Sequence, residues 1–126
     1  MTTTTRASGH PESGEVYCVD LDPVLGSEQA GRQPVVVVSD DALHQFSSRI
    51  LICPITSNPE PWPTKVAIPS GCVVSGFVLT DQARMIDRDF RKLRLIGRLP
   101  EAVTLRVKHR VAAYISIIPI TDSSQL

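Results

Sequence analysis

The chain predicts a mainly β fold: a small, strongly bent antiparallel sheet or partly open barrel, with one short helix inserted and one real helix last. Three observations predict it. Short runs rich in valine and isoleucine recur, as at Val35-Val36-Val37-Val38 and Ile50-Leu51-Ile52, and β-branched residues suit a pleated, buried surface. Prolines and glycines separate these runs, at Asp22-Pro23, from Ser57 to Pro63, and at Pro69-Ser70-Gly71; such residues interrupt regular elements. The segment after Pro100 instead carries an apolar stripe at helical spacing: Val103, Val107, Val111 and Tyr114.

In chain order, Gly14 to Leu21 reads as a first strand, with Tyr17, Val19 and Leu21 on one face and Val16 and Cys18 on the other. Asp22-Pro23 stops it. A polar, glycine-bounded loop, Gly26 to Gly31, runs into Pro34 and a strand from Val35 to Ser39. Asp40 to Phe46 reads as one or two helical turns capped by Ser39. Arg49 to Thr56 is another strand, broken at Pro54. Pro59, Pro61 and Pro63 force an extended, stiff loop around Trp62. Lys65 to Ile68 is a short strand. Val73 to Thr80 is a strand interrupted at Ser75-Gly76, as at a bulge. Arg84 to Arg88 and Leu93 to Arg98 are further strands around a polar turn, and Pro100 opens the last helix where proline is tolerated.

At 126 residues, one domain with one modest core is expected. Its expected bounds are 14–118, after a disordered leader at 1–13 and before a tail at 119–126. An apolar share of 42 % argues against disorder. No apolar run approaches a membrane span, and Met1 to His10 lacks the hydrophobic core of a signal peptide. A cytoplasmic location without membrane attachment is the expectation. Cys18, Cys53 and Cys72 are widely spaced among apolar neighbours and read as buried free thiols. With His10, His44 and His109 also scattered, no metal-ligand spacing arises, and chemistry without metal or other cofactor is expected. The charge is divided along the chain: residues 1–63 hold three Lys/Arg and eight Asp/Glu (net −5), residues 64–126 ten and five (net +5). One basic face attractive to phosphate chains, or merely the solvated sides of strands and turns, both fit this division.

The polar groups at strand ends and loops are the candidates for chemistry: Glu28, Gln29, Arg32, Gln33, Thr56, Ser57, Asp81, Gln82 and Arg84, with Trp62 as a base-stacking candidate. Arginine offers a planar donor fork suited to phosphate, while hydroxyls and amides hold phosphate oxygens or base edges. Asp81 is either a base or the partner that fixes Arg84; Thr56 and Trp62 also have plain roles as strand former and loop anchor. Nothing resembles a phosphate-binding P-loop, a dinucleotide fingerprint or a zinc motif. The inventory suits metal-free phosphodiester cleavage, in which positioning and charge stabilisation dominate. In RNA the 2′-hydroxyl supplies the nucleophile.

Five segments in register carry a resemblance: Gly14 to Pro23, Gly26-Ser-Glu-Gln-Ala-Gly31, Pro34 to Ser39, Cys53-Pro-Ile-Thr-Ser57 and Leu79 to Asp87, with Ile96-Gly-Arg-Leu99 before the last helix. Together they resemble the MazF/PemK toxin family over about Gly14 to Ile117. The resemblance implies an SH3-like barrel of the CcdB/PemK type and a homodimer. It implies a metal-independent endoribonuclease that cuts single-stranded mRNA at short sequences, leaving a 2′,3′-cyclic phosphate and a 5′-hydroxyl, and a cognate MazE-like antitoxin that silences it. It implies two catalytic residues, Arg32 and Thr56, with Glu28, Gln29, Gln33, Ser57, Trp62, Asp81, Gln82 and Arg84 binding RNA or supporting them. The family usually sets its arginine immediately before the proline; here Gln33 stands there and Arg32 one residue earlier. Some relatives use an arginine at the position of Leu79. Three readings stay open: Arg32 substitutes for the usual arginine, activity is weak, or Gln33 is an inactivating change. Two other classes stand beside the nuclease: an inactive homologue that binds RNA or antitoxin, and a gyrase poison like the CcdB branch. The Gly-Ser-Glu-Gln loop and the Pro-Ile-Thr-Ser motif favour the nuclease.

Overall fold

The computed structural model describes residues 9–21 and 32–116. Glu28 and Gln29 lie outside the described residues, as do the expected tail and most of the expected leader. Among the described residues seven strands form: β1 (Glu15–Asp20), β2 (Arg32–Val37), β3 (Arg49–Thr56), β4 (Lys65–Ile68), β5 (Gly76–Leu79), β6 (Arg84–Asp87) and β7 (Leu93–Arg98). A four-residue helix α1 (Asp41–His44) follows β2, a 3₁₀ turn (Thr80–Gln82) links β5 to β6, and α2 (Glu101–Tyr114) comes last. The predicted element types thus stand in the predicted order. The sheet is antiparallel, in the order β4-β5-β3-β2-β1-β7, with β6 also on β3. It bends without closing, so "barrel" is only a loose description.

β3 is the central post. Along one edge it pairs with β2, from Val35↔Pro54 to Val37↔Ile52. Along the other it serves two strands in turn: β6 over Arg49–Ile52, then β5 over Ile55 and Thr56. The sequence suggests a break at Pro54, yet β3 runs through it. Pro54 falls at the changeover between β6 and β5, where a residue without an N–H is tolerated.

Strand alternation splits the core over the two sheet faces. On one face Val16, Val36, Cys53, Ile55, Val66 and Val78 pack with Leu99 and with Val103, Val107 and Val111 of α2. On the other, Tyr17, Val19, Val35, Val37, Ile50, Ile52 and Ile86 form a second cluster with Leu93 and Leu95 alongside. The buried residues of that second cluster all come from strands, with Leu21 packed against them as well. The helical stripe is confirmed through Val111, whereas Tyr114 is half exposed and engaged through its hydroxyl.

Two further local expectations change. Ser39 does not cap α1: Asp40 takes the N-cap position without a side-chain cap bond, and the Ser39 hydroxyl turns inward, accepting the Leu51 N–H at 2.9 Å. It lies 2.6 Å from Nε2 of the fully buried His44. His44 Nδ1 lies 2.6 Å from the Pro11 carbonyl. A carbonyl only accepts, so Nδ1 carries the proton and Nε2 accepts from Ser39. The described end of the expected leader, residues 9–13, is therefore tied to the body through Pro11. The second change is at β5: residues 72–74 bend rather than extend, Ser75 is irregular, and the strand begins at Gly76.

Of the cysteines, Cys53 is buried while Cys18 and Cys72 are only half-buried; all three are free. The charge division along the chain is not a division in space. Arg98 pairs with Glu12 at 2.6 Å, and Lys108 with Asp40 at 2.7 Å, each joining the basic half to the acidic half.

Candidate nucleic-acid site

The far end of β3 meets the proline loop and the 3₁₀ turn at a groove of about 340 Å³. Thr56, Trp62, Asp81 and Gln82 line it, together with Asn58, Glu60, Lys65 and Leu79. Four of the residues singled out from the sequence thus share one surface.

Thr56 is the last residue of β3 and pairs with Phe77 of β5. Its Oγ1 accepts the Asn58 N–H at 3.1 Å, which fixes its rotamer in a hydroxyl turn. The hydroxyl proton has no acceptor among the described residues and is available to a ligand oxygen. Gly76 lets β5 come this close. Its φ is +119°, and a Cβ there would stand 2.1 Å from the Thr56 carbonyl oxygen, so only glycine fits.

Asp81 and Gln82 are exposed on the 3₁₀ turn, which hangs from the buried Thr80. The Thr80 hydroxyl donates to the Thr64 carbonyl. Having spent its one proton, it accepts from the Tyr114 hydroxyl at 2.7 Å. On the opposite wall Arg110 donates to the Pro63 carbonyl. The last turns of α2 therefore brace both the 3₁₀ turn and the proline loop. Trp62 stands 62 % exposed between its prolines, a flat apolar surface held by a stiff backbone. Beneath the groove the Cys53 thiol is pushed up to about 12, by burial first and by the Asp81 charge second, so it stays protonated and is no nucleophile.

Arg32 is not in this groove. It lies opposite Asp20 in the β1–β2 register and lines another hollow, of about 390 Å³, with Asp20, Leu21, Phe90, Arg91 and Lys92. Alternation explains the separation. Gln33 shares the face of Val35 and Val37, which is also that of Ile50, Ile52 and, at the end of β3, Thr56; Arg32 shares the opposite face with Val36. Ser57 is exposed beside Thr56, and Arg84 opens β6 opposite Ile52; neither lines the groove. Sequence reasoning missed Lys65, Asn58 and Glu60, and considered Leu79 only as the place where some relatives carry an arginine. The only signal for Lys65 is that β4 and β5 pair, which no local pattern states.

Comparison with known proteins follows the same lines. A family profile for the PemK-like, MazF-like toxin of type II toxin–antitoxin systems matches residues 12–115. The endoribonuclease PemK of Escherichia coli is 30 % identical over 120 residues, covering 88 % of this chain and 86 % of the relative. The endoribonuclease toxin MazF of E. coli K12 is 37 % identical over 76 residues, 60 % of this chain and 68 % of the relative. Among solved structures, MazF from Deinococcus radiodurans superposes with a TM-score of 0.75 at 29 % identity, covering 86 % of this chain and 98 % of that one. A MazE–MazF complex from the same organism gives 0.73 at 25 % identity, with the same coverage.

Proposed function

Because the chain belongs to the PemK-like, MazF-like toxin family of type II toxin–antitoxin systems, we propose that its groove at Thr56 is where single-stranded RNA is cut. The chain is an endoribonuclease like its named relatives. The single observation that carries the placement is Thr56: its hydroxyl is oriented by the Asn58 N–H and retains its own proton beside Asp81 and Gln82. A hydroxyl so held donates to a non-bridging oxygen of the scissile phosphate.

The reaction follows from the substrate. The ribose 2′-oxygen attacks the adjacent phosphorus, the bond to the 5′-oxygen breaks, and a 2′,3′-cyclic phosphate and a 5′-hydroxyl result. Asp81 takes the 2′-hydroxyl proton, and water gives a proton to the departing 5′-oxygen. Trp62 stacks on a base, Gln82 reads a base edge, and Gln33 and Ser57 flank the phosphate. Arg32, with Arg91 and Lys92 in the neighbouring hollow, holds the RNA chain beside the cut. Glu28, Gln29 and Arg84 support these contacts. The protein needs no metal for these steps, since the substrate brings its own nucleophile. It acts in the cytoplasm as a homodimer and is held silent by a MazE-like antitoxin, as the MazE–MazF structures suggest. No described helix is long and apolar enough to cross a membrane.

Incubating the protein with a long single-stranded RNA tests this. Cutting is expected to persist in EDTA, to leave cyclic phosphate ends, and to stop when the nucleotide at the cut carries a 2′-deoxyribose while binding remains. Cleavage of the deoxy substrate would sink the mechanism.

A further inference from the structure

Cleaving a phosphodiester builds negative charge on the phosphate, and a site without a cation loses the largest usual source of stabilisation. Arg32 lines a different hollow from Thr56, and Gln33 is neutral. Among the described residues one cation lines the Thr56 groove: Lys65.

The strand register places it there. Thr56 pairs with Phe77, and Lys65 pairs with Leu79. Phe77 and Leu79 are two apart on β5 and so share a face, and cross-strand partners share it with them. Thr56 and Lys65 thus project from the same face, diagonally across one strand; Ile55, Val66 and Val78 are buried on the other. The Lys65 stem passes by the Phe77 ring, its Nζ 5.3 Å from the ring centroid. Nζ donates to the Asn58 carbonyl at 2.8 Å and to the Glu60 carbonyl. These two bonds aim the ammonium and leave its charge uncancelled, since no carboxylate pairs with it among the described residues. The third donor is left for a ligand.

The geometry points to Lys65 as the catalytic cation of the groove: its ammonium meets a non-bridging oxygen of the scissile phosphate while Thr56 holds another. This rests on the nuclease reading above and names the residue that supplies its charge.

The test compares the wild type with Lys65→Gln, Lys65→Arg and the double variant Lys65→Gln/Leu79→Arg, measuring kcat on the RNA substrate and Kd for its 2′-deoxy analogue. Lys65→Gln is expected to lower kcat by about 100-fold while Kd changes far less, and Lys65→Arg to restore most of the rate. Leu79→Arg returns a positive charge from the paired position on β5 and is expected to recover part of the rate lost in Lys65→Gln. A lysine that merely pinned the Asn58–Glu60 backbone would not be replaced from Leu79, so failure of this rescue, with the double variant melting like Lys65→Gln, overturns the inference. An unchanged kcat in Lys65→Gln overturns it too and leaves the nuclease reading standing. A wild type that cuts no RNA overturns both.

Discussion

At residue 33 one side chain separates two arrangements of charge. Gln33 shares the sheet face of Thr56, and Arg32 stands on the opposite face among Asp20, Arg91 and Lys92. A guanidinium at position 33 would therefore project from the face of Thr56, where the proposed mechanism puts the scissile phosphate, and one at position 32 from the opposite face. Gln33→Arg is expected to raise kcat by roughly one to two orders of magnitude with little change in Kd for the 2′-deoxy analogue. Single-turnover cleavage rates check this, and no gain would mean that the existing cations already saturate the site. The residue types at this site were legible from the sequence: Thr56, Trp62, Asp81 and Gln82 are polar or aromatic groups at predicted strand ends and loops. Lys65 was not, because a lysine opening a short strand looks like any solvated surface residue until its cross-strand partner is known. Nor was the inward turn of Ser39: a serine before an acidic helical turn fits a cap, and only the distant Leu51 and His44 draw its hydroxyl elsewhere.

At the scale of elements, α2 has two tasks. Val103, Val107 and Val111 bury its apolar stripe against the sheet, and its last turns hold the groove walls through Arg110 and Tyr114. Tyr114→Phe removes the hydroxyl that donates to Thr80 and leaves the ring in place. The expected cost is about 1 kcal/mol in urea unfolding, with a raised KM for RNA because the 3₁₀ turn carrying Asp81 and Gln82 loses one of its holds. The period of the helix and its proline start were readable in the chain. Its bracing role was not, since Thr80 and Tyr114 meet only through the fold. The same limit applies to β3. Pro54 argues for a break when β3 is read alone, and becomes acceptable once β6 and β5 share its edge.

For the whole molecule, stability carries a pH dependence set by His44. Burial chiefly lowers its pKa below the usual 6.5; His10 and Arg88 lower it further, against the raising effects of the Pro11 carbonyl and Asp41. Between the folded and unfolded values the unfolded chain binds a proton that the folded one refuses, so stability rises with pH there. The contribution is complete above about pH 6.5 and is lost as pH falls toward the lowered folded value. Melting temperatures between pH 7.5 and 5 should fall, and His44→Gln should flatten that slope. Its hydrogen bonds also join residue 11 to residue 44, one of many distant pairings in this sheet: β1 takes its outer neighbour from β7, and the groove takes its bracing from α2. The order of synthesis gives that last dependence a meaning in time. A ribosome making this chain releases Thr56 long before Tyr114, and at about 5–20 residues per second the interval is roughly 3–12 s. Throughout that interval the growing polypeptide carries Thr56 without the Tyr114 and Arg110 contacts that brace the groove, so on the proposed mechanism the site is set only once α2 has docked.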